Sequence, residues 1–250
     1  MTLPRNPVVL IPARMASTRL PGKVLADIGG EPLILHVWRR AVAAGIGPVW
    51  VACAEPAVAA VIEKAGGRAV LTRPDHPSGS DRVFEALSRL DPGGLHDGVI
   101  NVQGDLPTID PGVIAAVLRP LADPGTDIAT LVATISDPWE KDDPNVVKAV
   151  LTPRGDAPDL FRALYFSRAR VPSGDGPCYH HIGLYAYRRQ ALARFVTLPQ
   201  GVLERRERLE QLRALENGMR IDAARVDTVP LGVDTPADLE RARAMIAAGT

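Results

Sequence analysis

Between Pro12 and Lys23 the chain sets two arginines, two hydroxyls, a glycine and a lysine after the apolar run Val8–Ile11. A β-branched strand opening into such a loop presents cations and free backbone amides together, as α/β folds do where they meet a polyphosphate. The spacing is neither Gly-x-x-x-x-Gly-Lys-Ser/Thr nor Gly-x-Gly-x-x-Gly, so neither a P-loop ATPase nor a dinucleotide-dependent dehydrogenase is indicated. Pro21-Gly22 pins a turn around which Arg14, Arg19 and Lys23 gather. That clustering favours a nucleotide-holding loop over a merely solvated basic one.

A carboxylate stands where a second strand should end, in Asn101-Val102-Gln103-Gly104-Asp105-Leu106-Pro107. Ligands of open α/β sheets bind along that carboxyl edge, which makes Asp105 a candidate magnesium ligand. Asp234 follows the run Val229–Val233 and precedes Thr235-Pro236. It reads equally as a second metal ligand or as an extended helix cap. In His76-Pro77-Ser78-Gly79-Ser80-Asp81-Arg82, Ser78 or Ser80 can cap the helix that follows, and the same turn could face a base or a ribose. Further on, Leu164-Tyr165-Phe166-Ser167-Arg168 and Tyr179-His180-His181 bring polar side chains into apolar surroundings. Adjacent histidines in a strand point to opposite faces, so at most one can enter a given pocket. His181 is either a satisfied core residue or, with Arg168 nearby, part of a site for an acidic sugar. Leu203 to Arg213 reads as an amphipathic helix whose charged face, Glu207 included, is solvated.

These residues need a scaffold, and the first half of the chain supplies an alternating one. Strands are predicted at Val8–Ile11, Val49–Ala52, Ala69–Thr72 and Val99–Val102, with helices at Leu33–Ala44, Ala57–Ala65, Asp81–Leu90 and Pro111–Leu121. That order predicts an α/β fold with a doubly wound, mostly parallel sheet. After Asp127 the texture shifts to the longer runs Ile128–Ile135, Val146–Leu151 and Ile182–Tyr187, read as a mixed-sheet extension. Helices are expected at Gln190–Phe195, Arg205–Asn217 and Pro236–Ala248. Thr152–Asp159 and Ser173–Pro177 are expected to be loops.

The 250 residues suffice for one elaborated domain, and 29 acidic side chains balance 29 basic ones. A neutral chain lacks the basic excess of a nucleic-acid binder, so any anion site must be local. No apolar run approaches the length of a membrane span, and no signal segment precedes the first strand, so a cytoplasmic protein is expected. Cys53 and Cys178 fit neither a disulfide framework nor a zinc site. Cys53 ends a strand and is read as a buried thiol, whereas Cys178 could be buried or exposed.

Taken together, these motifs resemble the 3-deoxy-manno-octulosonate cytidylyltransferases, also called CMP-Kdo synthetases, over essentially the full length. The resemblance is carried in order by Ile11-Pro12-Ala13-Arg14, Ser17-Thr18-Arg19-Leu20-Pro21-Gly22-Lys23, Asn101-Val102-Gln103-Gly104-Asp105, Pro144-Asn145-Val146-Val147-Lys148, Leu164-Tyr165-Phe166-Ser167-Arg168, His181-Ile182-Gly183, Leu209-Glu210-Gln211-Leu212-Arg213 and Gly232-Val233-Asp234-Thr235-Pro236. It implies a nucleotidyltransferase fold of glycosyltransferase-A-like type, with residues 1–125 mainly binding nucleotide and 126–225 mainly binding sugar and forming a dimer. It also implies CTP and the eight-carbon acidic sugar Kdo as substrates, magnesium as cofactor, and a cytoplasmic homodimer that feeds lipopolysaccharide synthesis.

On that resemblance Arg14 and Lys23 hold the triphosphate, and Asp105 and Asp234 hold the metal. Ala13, Arg14, Ser17, Thr18, Lys23, Ser78, Ser80 and Gln103 surround the nucleotide. Gln103, Arg168, His181, Tyr185, Glu210 and Gln211 read the sugar. Leu106 departs from the family by replacing its usual acid beside the metal site, Ser80-Asp81 departs while keeping chemical type, and the loop before Tyr179 is shorter. An 8-amino Kdo or a sialic acid as acceptor stays open. So does a nucleotide-binding domain without catalysis, against which the pair of carboxylates argues.

Overall fold

The computed structural model describes residues 3–17, 19–155 and 157–249. They pack into two compact units: an N-terminal unit of residues 6–115 and 230–249, and a central unit of 3–5 and 116–229.

The N-terminal unit is built on β1 (Pro7–Ala13), in which Val8 to Ile11 have no exposed surface. A short hairpin of β2 (Asp27–Ile28) and β3 (Glu31–Pro32) leads into α1 (Leu33–Ala43). Then come β4 (Val49–Cys53), α2 (Pro56–Lys64), β5 (Arg68–Leu71), α3 (Gly79–Leu90), β6 (Gly98–Asn101) and α4 (Pro111–Ala116). The strands lie in the order β5-β4-β1-β6 and all three pairings are parallel. Because helices cover both faces of such a sheet, its strands read as continuous apolar runs, which is why they were legible. The helices show the complementary stripe: α3 buries Val83, Ala86 and Leu87 at the i, i+3, i+4 positions. The C-terminal helix Pro236–Ala247 belongs to this unit.

In the central unit, β7 (Ile128–Thr134) is buried at six of seven residues. It is followed by β8 (Lys148–Arg154), β9 (Ala157–Ser167), β10 (Tyr179–Arg188), α5 (Arg189–Thr197), α6 (Val202–Glu207), α7 (Gln211–Glu216) and β11 (Ile221–Val226). The order is β10-β7-β11-β9-β8, with β11 parallel to β7 and the remaining neighbours antiparallel. The mixed sheet expected after Asp127 is therefore present. Tyr179 and His180 also pair with Ala149 and Lys148, so the edge strand β8 curls back onto β10.

Three local expectations are corrected. Thr152–Asp159 is not a loop, because β8 runs through Arg154 and β9 restarts at Ala157. The helix expected over Arg205–Asn217 is two helices, broken where Arg208 adopts left-handed backbone at φ 56°. The helix expected to reach Leu121 ends at Ala116, and the 3-10 turn Arg119–Ala122 follows, since Pro120 has no N–H to continue the ladder. Among the described residues no helix is long and apolar enough to cross a membrane.

Candidate active site

Two carboxylates and one ammonium meet in the N-terminal unit. The loop after β1 turns at Gly22, whose φ of 72° suits glycine, and delivers Lys23 to Asp105 and Asp234. Lys23 Nζ lies 2.7 Å from Asp105 Oδ2 and 2.9 Å from Asp234 Oδ1, and donates also to the Val233 carbonyl at 3.1 Å. Burial pulls this ammonium down, but Asp105 and Asp234 outweigh it and hold it above its ordinary pKa. Arg19 reaches the other oxygen of Asp234 at 2.8 Å. Two acids and two bases thus balance at this point.

The segments bearing the acids are joined directly, since Val233 N–H donates to the Asp105 carbonyl at 2.9 Å. Leu106 is buried, and its Cδ2 lies 3.9 Å from where a Cβ on Gly232 would stand. Gly104 allows the close approach of Asp105 to β1: a Cβ there would lie 2.7 Å from the Pro12 carbonyl oxygen. The helix that follows Asp234 is capped by the neighbours of that residue. Thr235 caps the C-terminal helix by accepting from Asp238 N–H at 3.2 Å, and Asp238 accepts from Thr235 N–H at 3.0 Å. The Asp234 carboxylate is left to face cations.

Around this centre lies a cavity of about 610 Å³, lined by Ala13, Arg14, Ser17, Lys23, Ser78, Gln103, Asp105 and Asp234 among others. Of the residues expected at the nucleotide, Thr18 lies outside the described residues. Ser80 is corrected: it is buried in the first turn of α3 and does not line the cavity, because capping by Ser78, which accepts from Asp81 N–H at 3.1 Å, turns it inward. Two lining residues, His76 and Arg82, were missed as site residues although their motif was noted. His76 is held by Glu85. Arg82 is nearly buried, donates to Thr72 Oγ1 at 2.5 Å and to the Arg73 carbonyl at 3.1 Å, and has its pKa lowered by burial. A helix-forming window with arginine one turn past a capping serine was the available signal. Behind the loop, Glu55 accepts from Met15 N–H at 3.2 Å.

The remaining candidates sit in the central unit, apart from Gln103. His181 is buried, its ring edge-on to Phe166 at 4.7 Å and tilted toward Tyr185 at 5.6 Å. Its Nε2 lies 3.0 Å from Thr130 Oγ1, which is also within hydrogen-bond distance of the carbonyls of Ile182 and Leu184 at 3.1 and 3.0 Å. Burial, with His180 adding to it, drives the His181 pKa down to about 3. The ring is neutral at physiological pH and suits reading a hydroxyl. Burial likewise raises the Tyr185 phenol well above its ordinary pKa, with Tyr187 and Glu210 contributing. The Gln211 side-chain nitrogen is buried without a hydrogen-bond partner among the described residues. An unmet buried donor costs about 1–3 kcal/mol, and a ligand oxygen would recover it.

The neutral His181 sets a pH dependence. Below its unfolded value of 6.5 the unfolded chain takes up a proton that the folded chain resists down to about 3. Its contribution to stability is complete above that window and lost as pH falls through it, by roughly 1 kcal/mol per pH unit. Denaturant midpoints between pH 7 and 5 should fall less steeply for His181→Asn than for the unaltered protein. Equal slopes would show that the ring is not held neutral.

Arg168 donates from Nε to the Glu207 carbonyl at 3.0 Å and from Nη1 to the Pro144 carbonyl at 2.9 Å. Glu207 is corrected from a solvated residue to a brace. Its carboxylate accepts from Ser167 Oγ at 2.7 Å and from Arg168 N–H at 3.0 Å. Glu204 was read on the same solvated face, yet it is buried in a two-bond pair with Arg213 at 2.6 and 2.9 Å, and Arg213 stacks over Phe195. The break at Arg208 separates α6 from α7, whose first residue is Gln211. Cys53 is buried with its pKa pushed up to about 11, chiefly by that burial, and Cys178 is buried as well.

The cytidylyltransferase family model matches residues 8–221. A 3-deoxy-manno-octulosonate cytidylyltransferase from Paramagnetospirillum magneticum is 67% identical over 97% of this chain and 98% of its own, and one from Methylorubrum populi is 69% identical over 97% of each. A CMP:2-keto-3-deoxy-manno-octonic acid synthetase solved with CTP superposes with a TM-score of 0.90 at 40% identity, over 98% of this chain and all of the other. A nucleotidyl transferase from Methanothermobacter thermautotrophicus, at 13% identity and a TM-score of 0.63, shares the fold alone. The chain belongs to the 3-deoxy-manno-octulosonate cytidylyltransferase family.

Proposed function

We propose that this enzyme transfers CMP from CTP to the anomeric hydroxyl of Kdo, releasing pyrophosphate and forming CMP-Kdo for lipopolysaccharide synthesis. The observation that carries the reading is the meeting of Lys23, Asp105 and Asp234 on the wall of a cation-lined cavity. In the reaction the anomeric oxygen bonds to the α-phosphorus as the bond from that phosphorus to the bridging oxygen breaks. Such a displacement needs positioning and charge neutralisation more than a covalent residue. Arg14 and Lys23 neutralise the triphosphate and the departing pyrophosphate, and Arg19 and Arg82 add to the positive field. Ala13, Ser17, Ser78 and Gln103 border the nucleoside.

The donor set suits a hard cation. Two carboxylates supply only part of a shell, as magnesium prefers when phosphate oxygens complete it. Asp105 and Asp234 would hold the ion. Magnesium bound there would neutralise phosphate charge and lower the pKa of the attacking hydroxyl. Arg168 pairs with the sugar carboxylate, while neutral His181, Tyr185, Gln211 and Glu210 read its hydroxyls.

Pyrophosphate release with each nucleoside triphosphate against Kdo, 8-amino Kdo, a sialic acid and a neutral aldose tests the assignment. CTP with Kdo is expected to be fastest and the aldose inert. Clear preference for the amino sugar or the sialic acid would overturn the acceptor but not the transferase class.

The active form is a cytoplasmic homodimer joined through the central unit. Trp139, Val202 and Leu164 of that unit are exposed at 85%, 68% and 54%, apolar area that an interface would cover. Sedimentation at micromolar concentration should give twice the chain mass. A fully active monomer would count against it.

A further inference from the structure

The motif Pro144-Asn145-Val146-Val147-Lys148 meets the site described above only through the Pro144 carbonyl, yet its lysine heads the fully buried side chains by volume among the described residues. A buried ammonium must spend all three of its donors on acceptors. Lys148 Nζ donates to the carbonyls of Asp143 at 2.8 Å, Val146 at 2.5 Å and Arg168 at 2.7 Å. Arg168 in turn rests its Nη1 on the Pro144 carbonyl, in the same turn. One ammonium thus ties the main chain of Arg168 to the segment that carries the Arg168 guanidinium. Among the described residues no carboxylate is bonded to it, so it joins two backbone segments rather than forming an ion pair. The turn is pinned independently by Asp143, whose Oδ1 accepts from Asn145 N–H at 2.8 Å.

We propose that Lys148 is a positioning residue that sets the Arg168 guanidinium for the carboxylate of the acceptor sugar. The proposal rests on the acceptor reading given above. A residue that merely stabilised the fold would disturb both substrates alike, whereas a strut for Arg168 acts on one. Lys148→Met in the full-length protein is expected to raise the KM for Kdo about tenfold, with the KM for CTP changed less than twofold. In an Arg168→Lys background the same change should add less than a further twofold, because the clamp is already lost.

Should Lys148→Met fail to fold, two milder variants decide the matter. Lys148→Gln keeps donors for part of the cluster, and Asp143→Ala removes the Asn145 tether and a carboxylate charge near the ammonium while keeping the Asp143 carbonyl that Lys148 bonds. Each should raise the KM for Kdo severalfold and leave that for CTP in place. An unchanged KM for Kdo in the folded variants, or equal rises for both substrates, would overturn the proposal. If Arg168→Lys itself leaves the Kdo requirement unchanged, the acceptor reading fails and the role of Lys148 with it. If Arg168→Lys raises that requirement and the Lys148 and Asp143 variants do not, only the role of Lys148 falls.

Discussion

Replacing either Asp105 or Asp234 by asparagine is expected to lower turnover by roughly a hundredfold or more, with little change in the thermal transition. The magnitude follows from losing one charged oxygen at a centre that must stabilise phosphoryl charge, an effect worth several kcal/mol in comparable sites. The fold should survive for a local reason. Lys23 keeps one carboxylate partner and the Val233 carbonyl in either variant, so no buried ammonium is stranded. The C-terminal helix keeps its start, because Thr235 and Asp238 cap it without the Asp234 side chain. Turnover measured across a magnesium titration, beside circular dichroism melting, separates the two effects. Near-normal turnover of Asp234→Asn would mean that its carboxylate serves only to hold Arg19 and Lys23.

Arg168→Lys should raise the Kdo requirement about tenfold and Arg168→Ala up to a hundredfold, while the CTP requirement holds. Hydrogen bonds to a charged partner contribute about 1.5–3 kcal/mol, which sets that range. The guanidinium has five N–H donors, and two are spent on the carbonyls of Glu207 and Pro144. Three remain, all on Nη1 and Nη2, which is the edge that accepts a carboxylate through two parallel bonds. Lysine can replace the charge but not the fork, and it would leave at least one of those carbonyls unmet. Steady-state kinetics with each substrate varied in turn gives the answer. A parallel rise in the CTP requirement would move Arg168 from sugar recognition to general structure.

Much of the N-terminal unit was legible because three of its parallel strands, β1, β4 and β6, are largely buried and so stand out as apolar runs between amphipathic helices. Elsewhere local signals failed. β11 was not anticipated, since Ile221-Asp222-Ala223-Ala224-Arg225-Val226 contains few residues that favour strands. Its buried Asp222 is tolerated because Thr126 and Arg154 converge on it from other segments and Arg220 from two residues before it. The start of β9, with Pro158 and Asp159, resembled a loop until pairing with β8 and β11 placed it in the sheet. Arg208 offers no warning that it will take a glycine-like conformation and split a helical pattern in two.

The sequence by itself determined the α/β class, the cation-rich loop after β1, the acid at the end of β6, and the family. These depend on residue type and short-range spacing, which pattern alone reveals. Only the tertiary structure decided that Lys23 would bridge acids 82 and 211 positions away, and that Asp234 would face cations rather than cap its helix. It alone decided that Glu204 and Glu207 would be braces and that Lys148 would be sealed beneath Arg168. The reason is common to all of these. A charged side chain reads as solvated until the partners that let it leave water are known, and those partners are brought by distant parts of the chain.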